Sequence, residues 1–201
     1  VRLLGPLRQT SQVEISRTDA TSSTWSGGTT TEFFIYPPES SYKERNFQIR
    51  ISSATVNVEE SEFTMLPDYD RIITPLTDHL HLSFQETADT YDLKPLEAAF
   101  FDGAYHTHSI GRATDFNVMF RKGMKATYAV LSTSSQLNRG VHRFIYVPAM
   151  STEAAATARL DSIRLKPDTV YYMPDFTATV PLFLEEPAVK VIYVTVTPID
   201  N

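Results

Sequence analysis

A chain of 201 residues, 42% hydrophobic and 21% charged, is long enough for one sizeable core or two small fused ones and has the make-up of a folded globular protein. The net charge of -6, with 18 scattered basic residues, argues against binding a phosphate backbone, and the absence of cysteine excludes disulfides, thiolate metal sites and cysteine nucleophiles. No apolar run reaches the roughly 18 residues of a membrane helix and the N-terminus lacks a signal-type apolar core, so the expectation is a cytoplasmic protein that engages neither nucleic acid nor membrane.

Short runs rich in Val, Ile, Thr and aromatic residues, separated by turn signals, predict an all-β chain. Gln12 to Arg17 alternates, with Val13 and Ile15 on one face, and Thr18 to Thr24 reads as a polar loop leading to Trp25, the only tryptophan. Gly27-Gly28 then supplies a hinge, Thr29-Thr30-Thr31 favours an extended chain, and Glu32 opens the strand Phe33 to Tyr36, which Pro37-Pro38 stops. Residues 47 to 58 alternate with a change of phase, which predicts a β-bulge near Ser52-Ser53-Ala54, just after Arg50. Arg71 to Phe84 reads as a hairpin turning at Thr77-Asp78, with Leu80, Leu82 and Phe84 on one face.

Leu93-Lys94-Pro95 recurs as Leu165-Lys166-Pro167, followed about six positions on by Phe101 and by Tyr172 or Met173, and this is a candidate internal repeat. The boundary between halves is expected at Arg121-Lys122-Gly123, giving residues 1–121 and 122–201. In the second half strands are predicted at Tyr128 to Leu131, Val141 to Val147, Leu160 to Leu165, Thr169 to Met173, Phe176 to Leu184 and Val189 to Thr197. Thr152 to Ala158 is alanine-rich and too short to settle between helix and loop. The last strand is apolar on both faces, as for a central strand or one covered by a partner subunit, so a homodimer is left open.

Three segments carry a family resemblance. Trp25-x-Gly27-Gly28-Thr29-x-x-Glu32 is similar to the N-terminal motif of the HutD/Ves family; Phe63 to Arg71 resembles its Phe-Ser-x-Phe-Pro-Gly-x-x-Arg segment; and Asp115-Phe116-Asn117-Val118-Met119-Phe120-Arg121 is similar to its Asp-Phe-Asn-x-Met-x-Arg strand. Ser26 stands where the family usually has asparagine, and Asp68 where it has glycine. The resemblance implies a bicupin of two fused jelly-roll barrels or sandwiches, a cytoplasmic setting and a link to histidine utilisation or stress. The Leu-x-Pro repeat suits two cupin-like halves.

Three constellations could carry chemistry. His79-Leu80-His81 with Glu86 matches the core of a metal-binding cupin motif without its flanking glycines, and both histidines share a polar face with Ser83. His106 and His108 fall where a second cupin motif places its ligand, yet residues 55 to 70 contain no histidine to complete a three-histidine site. On the strand Asp115 to Arg121, Phe116, Val118 and Phe120 take one face, leaving Asp115, Asn117, Met119 and Arg121 on the other. In a small barrel such a polar face points either into a cavity or to solvent; the family resemblance implies a cavity shared with Arg50 and Glu32, where Arg50 pairs with Asp115 or Glu32.

The reading is a non-catalytic accessory or regulatory protein that binds a small anionic metabolite without metal or cofactor. By resemblance its ligand derives from histidine breakdown. Arg50 and Arg71 are expected to supply positive charge, Trp25 an apolar wall and Asn117 a hydrogen bond, beside Glu32 and Asp115. The alternative is a cupin enzyme, an isomerase or metal-dependent, using His106 and His108.

Overall fold

The computed structural model describes residues 2–4, 12–149, 157–174, 178–185 and 189–198, with backbone alone for Arg2–Leu4 and Gln12. Two short strands come first, β1 (Arg2–Leu4) and β2 (Gln12–Ser16). Next are β3 (Thr21–Trp25), β4 (Gly28–Tyr36), β5 (Ile49–Val56), β6 (Glu60–Glu62), β7 (Tyr69–Pro75), β8 (Leu80–Phe84), β9 (Thr90–Leu93), β10 (Ala99–Asp102), β11 (Thr107–Ile110) and β12 (Asp115–Arg121). The remainder are β13 (Met124–Leu131), β14 (Ser135–Leu137), β15 (His142–Val147), β16 (Arg159–Leu160), β17 (Ile163–Arg164), β18 (Thr169–Met173), β19 (Val180–Phe183) and β20 (Val191–Pro198). Among the described residues the helical structure is one 3-10 turn, Arg17–Asp19.

The chain divides into two compact units, a central one, Ala20–Lys122, and a split one formed by Val1–Asp19 with Gly123–Asn201. The linear division at residues 121 and 122 therefore misplaces the first nineteen residues. Backbone pairing is the reason, since β2 adds to β18 with Ser16 opposite Thr169. Side chains fasten that edge: Arg17 Nε meets Asp168 at 2.5 Å, Tyr146 donates to Asp168 at 2.7 Å, and Tyr171 donates to Glu14 at 2.9 Å.

Each unit contains a six-stranded and a four-stranded antiparallel sheet. In the central unit the orders are β10-β7-β12-β5-β4-β3 and β6-β11-β8-β9; in the split unit they are β1-β2-β18-β15-β20-β13 and β14-β19-β16-β17. The run β10-β7-β12-β5 is answered by β18-β15-β20-β13, and the Leu-Lys-Pro repeat is the local sign of it. After each triplet one residue takes positive φ, Leu96 at 73° and Asp168 at 54°. Its N–H then bonds the carbonyl that ends the neighbouring strand, Pro75 at 2.9 Å and Val147 at 2.7 Å. The triplet is thus the corner that aims β10 at β7 and β18 at β15.

Alternation placed most strands, and it failed where its physical basis was missing. Thr21–Trp25 is a strand, not a loop; it is exposed along its length, so no buried face imposes an apolar period. Arg71 to Phe84 is not a hairpin: β7 and β8 belong to different sheets, and the backbone around Asp78 (φ 60°) turns a corner held by Leu76 N–H to the Thr114 carbonyl. The bulge lies across the ladder from its expected place. Between Glu32, opposite Ser52, and Phe34, opposite Ile51, the extra residue is Phe33 on β4. Strand β5 keeps its phase; most of both its faces are buried, so apolar side chains on either parity imitate a slip.

β20 lies between β15 and β13, so its two apolar faces belong to an interior strand. Leu160 to Leu165 divides into the two-residue strands β16 and β17, and residues 152–156 of the ambiguous alanine-rich segment lie outside the described residues. The split unit buries Ile145, Tyr171, Met173 and Val191 in one cluster, and the central unit buries Ile73, Leu80, Leu82 and Ala99 in another.

Candidate functional site

The hairpin β3–β4 forms one rim of a cavity of about 340 Å³ in the central unit. Its turn is the two residues Ser26-Gly27, closed by Trp25 opposite Gly28, a length that suits the twist of antiparallel strands. Gly28 is required by the neighbouring backbone, and Gly27 leaves room for the indole. A Cβ on Gly28 would stand 1.9 Å from the Thr55 carbonyl oxygen of β5, and one on Gly27 would stand 2.0 Å from the Trp25 ring. Trp25 lies across Gly27, donates from Nε1 to Thr30 Oγ1 at 3.1 Å, and remains 39% exposed at the cavity mouth.

The floor follows from register, because residues facing each other in an antiparallel ladder point to the same side. Arg71 on β7 faces Met119 on β12, which faces Arg50 on β5. One pleat along, Asn117 faces Ser52, which faces Glu32 on β4. Asp115 accepts the Ala54 N–H at 2.9 Å in the following pleat. Arg50, Arg71, Asp115 and Asn117 thus line one cavity with Trp25, as the parity of β12 predicted. Glu32 stands behind Arg50 instead of lining the space.

Two charges on this floor differ in kind. Arg50 Nε is 2.7 Å from Glu32, so the pairing left open between Glu32 and Asp115 goes to Glu32. Among the described residues Arg71, 5% exposed, has no carboxylate within ion-pair distance; a hydrogen bond runs from Nη1 to the Thr64 carbonyl at 3.4 Å, and Nε has no hydrogen-bond partner. Burial pushes the Arg71 guanidinium down to about 10, opposed by Tyr42 and Asp115 and helped by Arg50. It therefore stays charged near neutral pH. Asn117, 7% exposed, has an Oδ1 with no donor. Charge on this floor thus resides chiefly in Arg71, not equally in the two arginines.

The corresponding arginine of the split unit shows the contrast. Arg143 faces Met173 across its ladder as Arg71 faces Phe101, and it is wholly buried. Its Nη1 donates to the Asn138 and Ala178 carbonyls at 2.9 and 3.0 Å. A buried guanidinium at this point of the fold can be met by two backbone oxygens, whereas Arg71 has one long hydrogen bond and lies over the Phe63 and Phe101 rings.

Sequence reasoning missed Tyr42, Ser52, Phe63 and Thr64, which also line the cavity. Tyr42 sits between two cations, with Arg45 Cζ 3.9 Å and Arg50 Cζ 4.1 Å from its ring centre, and Arg71 Cζ lies 4.9 Å from the Phe63 ring. Tyr42 projects from the connection between β4 and β5, where no period announces a direction. Phe63 follows β6 and was visible only within the family motif. Parity offered Ser52, which shares a face with Arg50.

None of the histidines joins this site. His81 Nδ1 is 2.5 Å from Asp92, His106 bonds Glu86, and His108 Nδ1 is 2.5 Å from Glu62. His79 and His81 line a separate, shallower depression. Among the described residues no three histidine, aspartate or glutamate side chains converge as a metal site. His106 and His108, the candidates for an enzyme centre, do not line the cavity; His106 is held by Glu86 in the connection after β8, and His108 by Glu62 of β6, whose side chain does line it.

Comparison with known proteins places this geometry. The family model described as HutD matches residues 17–181. The fold is similar to HutD from Pseudomonas fluorescens SBW25, with TM-score 0.75 and 16% identity over 92% of this chain and 98% of that one. It is equally similar to a conserved protein of unknown function from Pseudomonas aeruginosa PAO1, with TM-score 0.75 and 17% identity over 94% of this chain and 100% of that one. Oxalate decarboxylase from Lactobacillus farciminis matches at TM-score 0.59 and 9% identity over 92% and 86% of the two chains, a likeness of fold that marks the architecture as cupin-like. No curated protein matches the sequence. With the family model covering most of its length, this chain belongs to the HutD family.

Proposed function

We propose that the central unit is a receptor for a small carboxylate metabolite, and that the protein works by binding as an accessory or regulatory member of a histidine-utilisation system. One observation carries the reading: Arg71 is a buried cation at a cavity wall, without a carboxylate partner and with one long hydrogen bond. Charged groups are seldom buried unpaired, and a guanidinium edge matches a carboxylate in two parallel hydrogen bonds. At about 340 Å³ the cavity suits a small metabolite. Trp25 and Phe63 provide apolar walls, and the Arg50–Glu32 pair holds the floor in shape. Family membership supports the histidine link, and urocanate and formylglutamate are the first acids to try.

The test is a thermal-shift and calorimetric titration of the intact protein. A ligand that binds only the native state adds about 2.7 kcal/mol at a hundredfold excess over Kd, a clear rise in Tm. Binding of one acid per chain, weakened about 10- to 100-fold in Arg71→Met, is the expected result. Full affinity in a folded Arg71→Met protein would overturn the reading.

A further inference from the structure

We infer, on the carboxylate reading above, that the ligand carries a second oxygen function, a carbonyl that accepts hydrogen bonds from Asn117 and Ser52, so that it is an oxo or acyl acid and not a plain alkyl acid. The two residues face each other across the ladder of β12 and β5, where opposed side chains stand about 4.5 to 5.5 Å apart at Cβ. Both line the cavity, although Asn117 is only 7% and Ser52 only 2% exposed. Asn117 buries Oδ1 in the wall, so the amide atom it turns to the cavity is Nδ2, a donor. Among the described residues neither Nδ2 nor the Ser52 hydroxyl has a hydrogen-bond partner, and neither atom is sealed from the cavity as Oδ1 is.

The pair is a cleft of donors. Nδ2 offers two N–H groups and the Ser52 hydroxyl can turn its hydrogen the same way, so one oxygen with two lone pairs set between them meets both. A methyl or methylene group in that place would strip water from both donors and return nothing. Met119, with Arg71 and Arg50 on either side, stands one pleat along, about 7 Å up the strands. The ligand carboxylate and its second oxygen are therefore held in adjacent rows, which calls for a short chain between them. Asp115 lines the cavity in the row on the other side, and its carboxylate disfavours a second anion there, so a neutral carbonyl suits the middle row better than a second carboxylate. A site built to hydrogen-bond one group of its ligand rejects an analogue that lacks the group more strongly than it rejects a change of size.

Matched pairs of acids test this on the intact protein by calorimetry. In 4-oxopentanoate against 4-methylpentanoate, and in 5-oxohexanoate against 5-methylhexanoate, a carbonyl oxygen takes the place of a methyl group. In at least one pair the oxo acid should bind about tenfold tighter or more. Asn117→Leu and Ser52→Ala each remove a donor and should each reduce that preference, while the methyl acid keeps its affinity. Asn117→Asp, which keeps the shape and exchanges the donor for an acceptor, should lose the preference as well. Equal affinities within both pairs for the wild type, or tighter binding of the methyl acids, would overturn the second oxygen and leave the carboxylate receptor standing. A preference that survives all three substitutions would overturn the role given to Asn117 and Ser52. Binding of none of the four acids up to about 10 mM, about a hundredfold above a modest Kd, would overturn the receptor and this inference with it.

Discussion

Arg71 is a buried cation on the cavity wall whose Nε has no hydrogen-bond partner among the described residues. Removing an unpaired buried cation and substituting an apolar side chain of similar length relieves its desolvation cost, so Arg71→Met should melt at the same temperature as the wild type or higher while losing its response to acids. Lower stability with unchanged binding would mark Arg71 as structural. Asp70 is the opposite kind of charge. Burial first, and then Asp102 beside it, raise its carboxyl above the usual range, against the pull of Lys122. The folded chain thus holds this proton more tightly than the unfolded one, and stability falls as pH rises through the folded pKa. Asp70→Asn should therefore raise Tm at pH 7, with the gain shrinking as pH falls through the raised folded pKa and gone below about 4, where both states of the wild type carry the proton.

The β3–β4 hairpin sets the rim of the cavity, and its two glycines act through different contacts. Gly28→Ala drives a Cβ into the Thr55 carbonyl, a backbone atom that moves only with its strand, so denaturant unfolding should show a loss of about 1 to 3 kcal/mol. Gly27→Ala meets only the indole, which can swing away. That variant should fold normally, shift the emission of the lone tryptophan towards longer wavelength and weaken ligand binding. An unchanged spectrum would show that the indole does not rest on Gly27. The same hairpin explains an error of reading. Thr21–Trp25 is a strand made of exposed serine and threonine, and its order comes from backbone pairing with β4.

Across the whole molecule the two units share a strand plan and differ in what fills it. Hydrogen exchange with a bound acid should slow in β5, β7 and β12, which floor the cavity, and stay unchanged in β15, β18 and β20 of the split unit, whose core cluster is apolar. Protection spread equally over both units would argue for a second site. Several of these features were legible in the sequence: the all-β class, the parity that puts Asp115 and Asn117 with Arg50, the corner marked twice by Leu-Lys-Pro, and membership of the HutD family. Each rests on local chemistry, on alternation, glycine and proline conformation or a linear motif. What only the tertiary structure decided depends on contacts distant in sequence. Pairing of β2 with β18 draws the first nineteen residues into the split unit, a sheet-to-sheet corner replaces the expected hairpin after Arg71, and Tyr42 reaches the cavity from an aperiodic connection. The partner of each arginine belongs to the same class. Parity could bring Arg50 and Arg71 to one face, but only the packed sheet decided that Glu32 pairs with Arg50 and that, among the described residues, no carboxylate lies within ion-pair distance of Arg71.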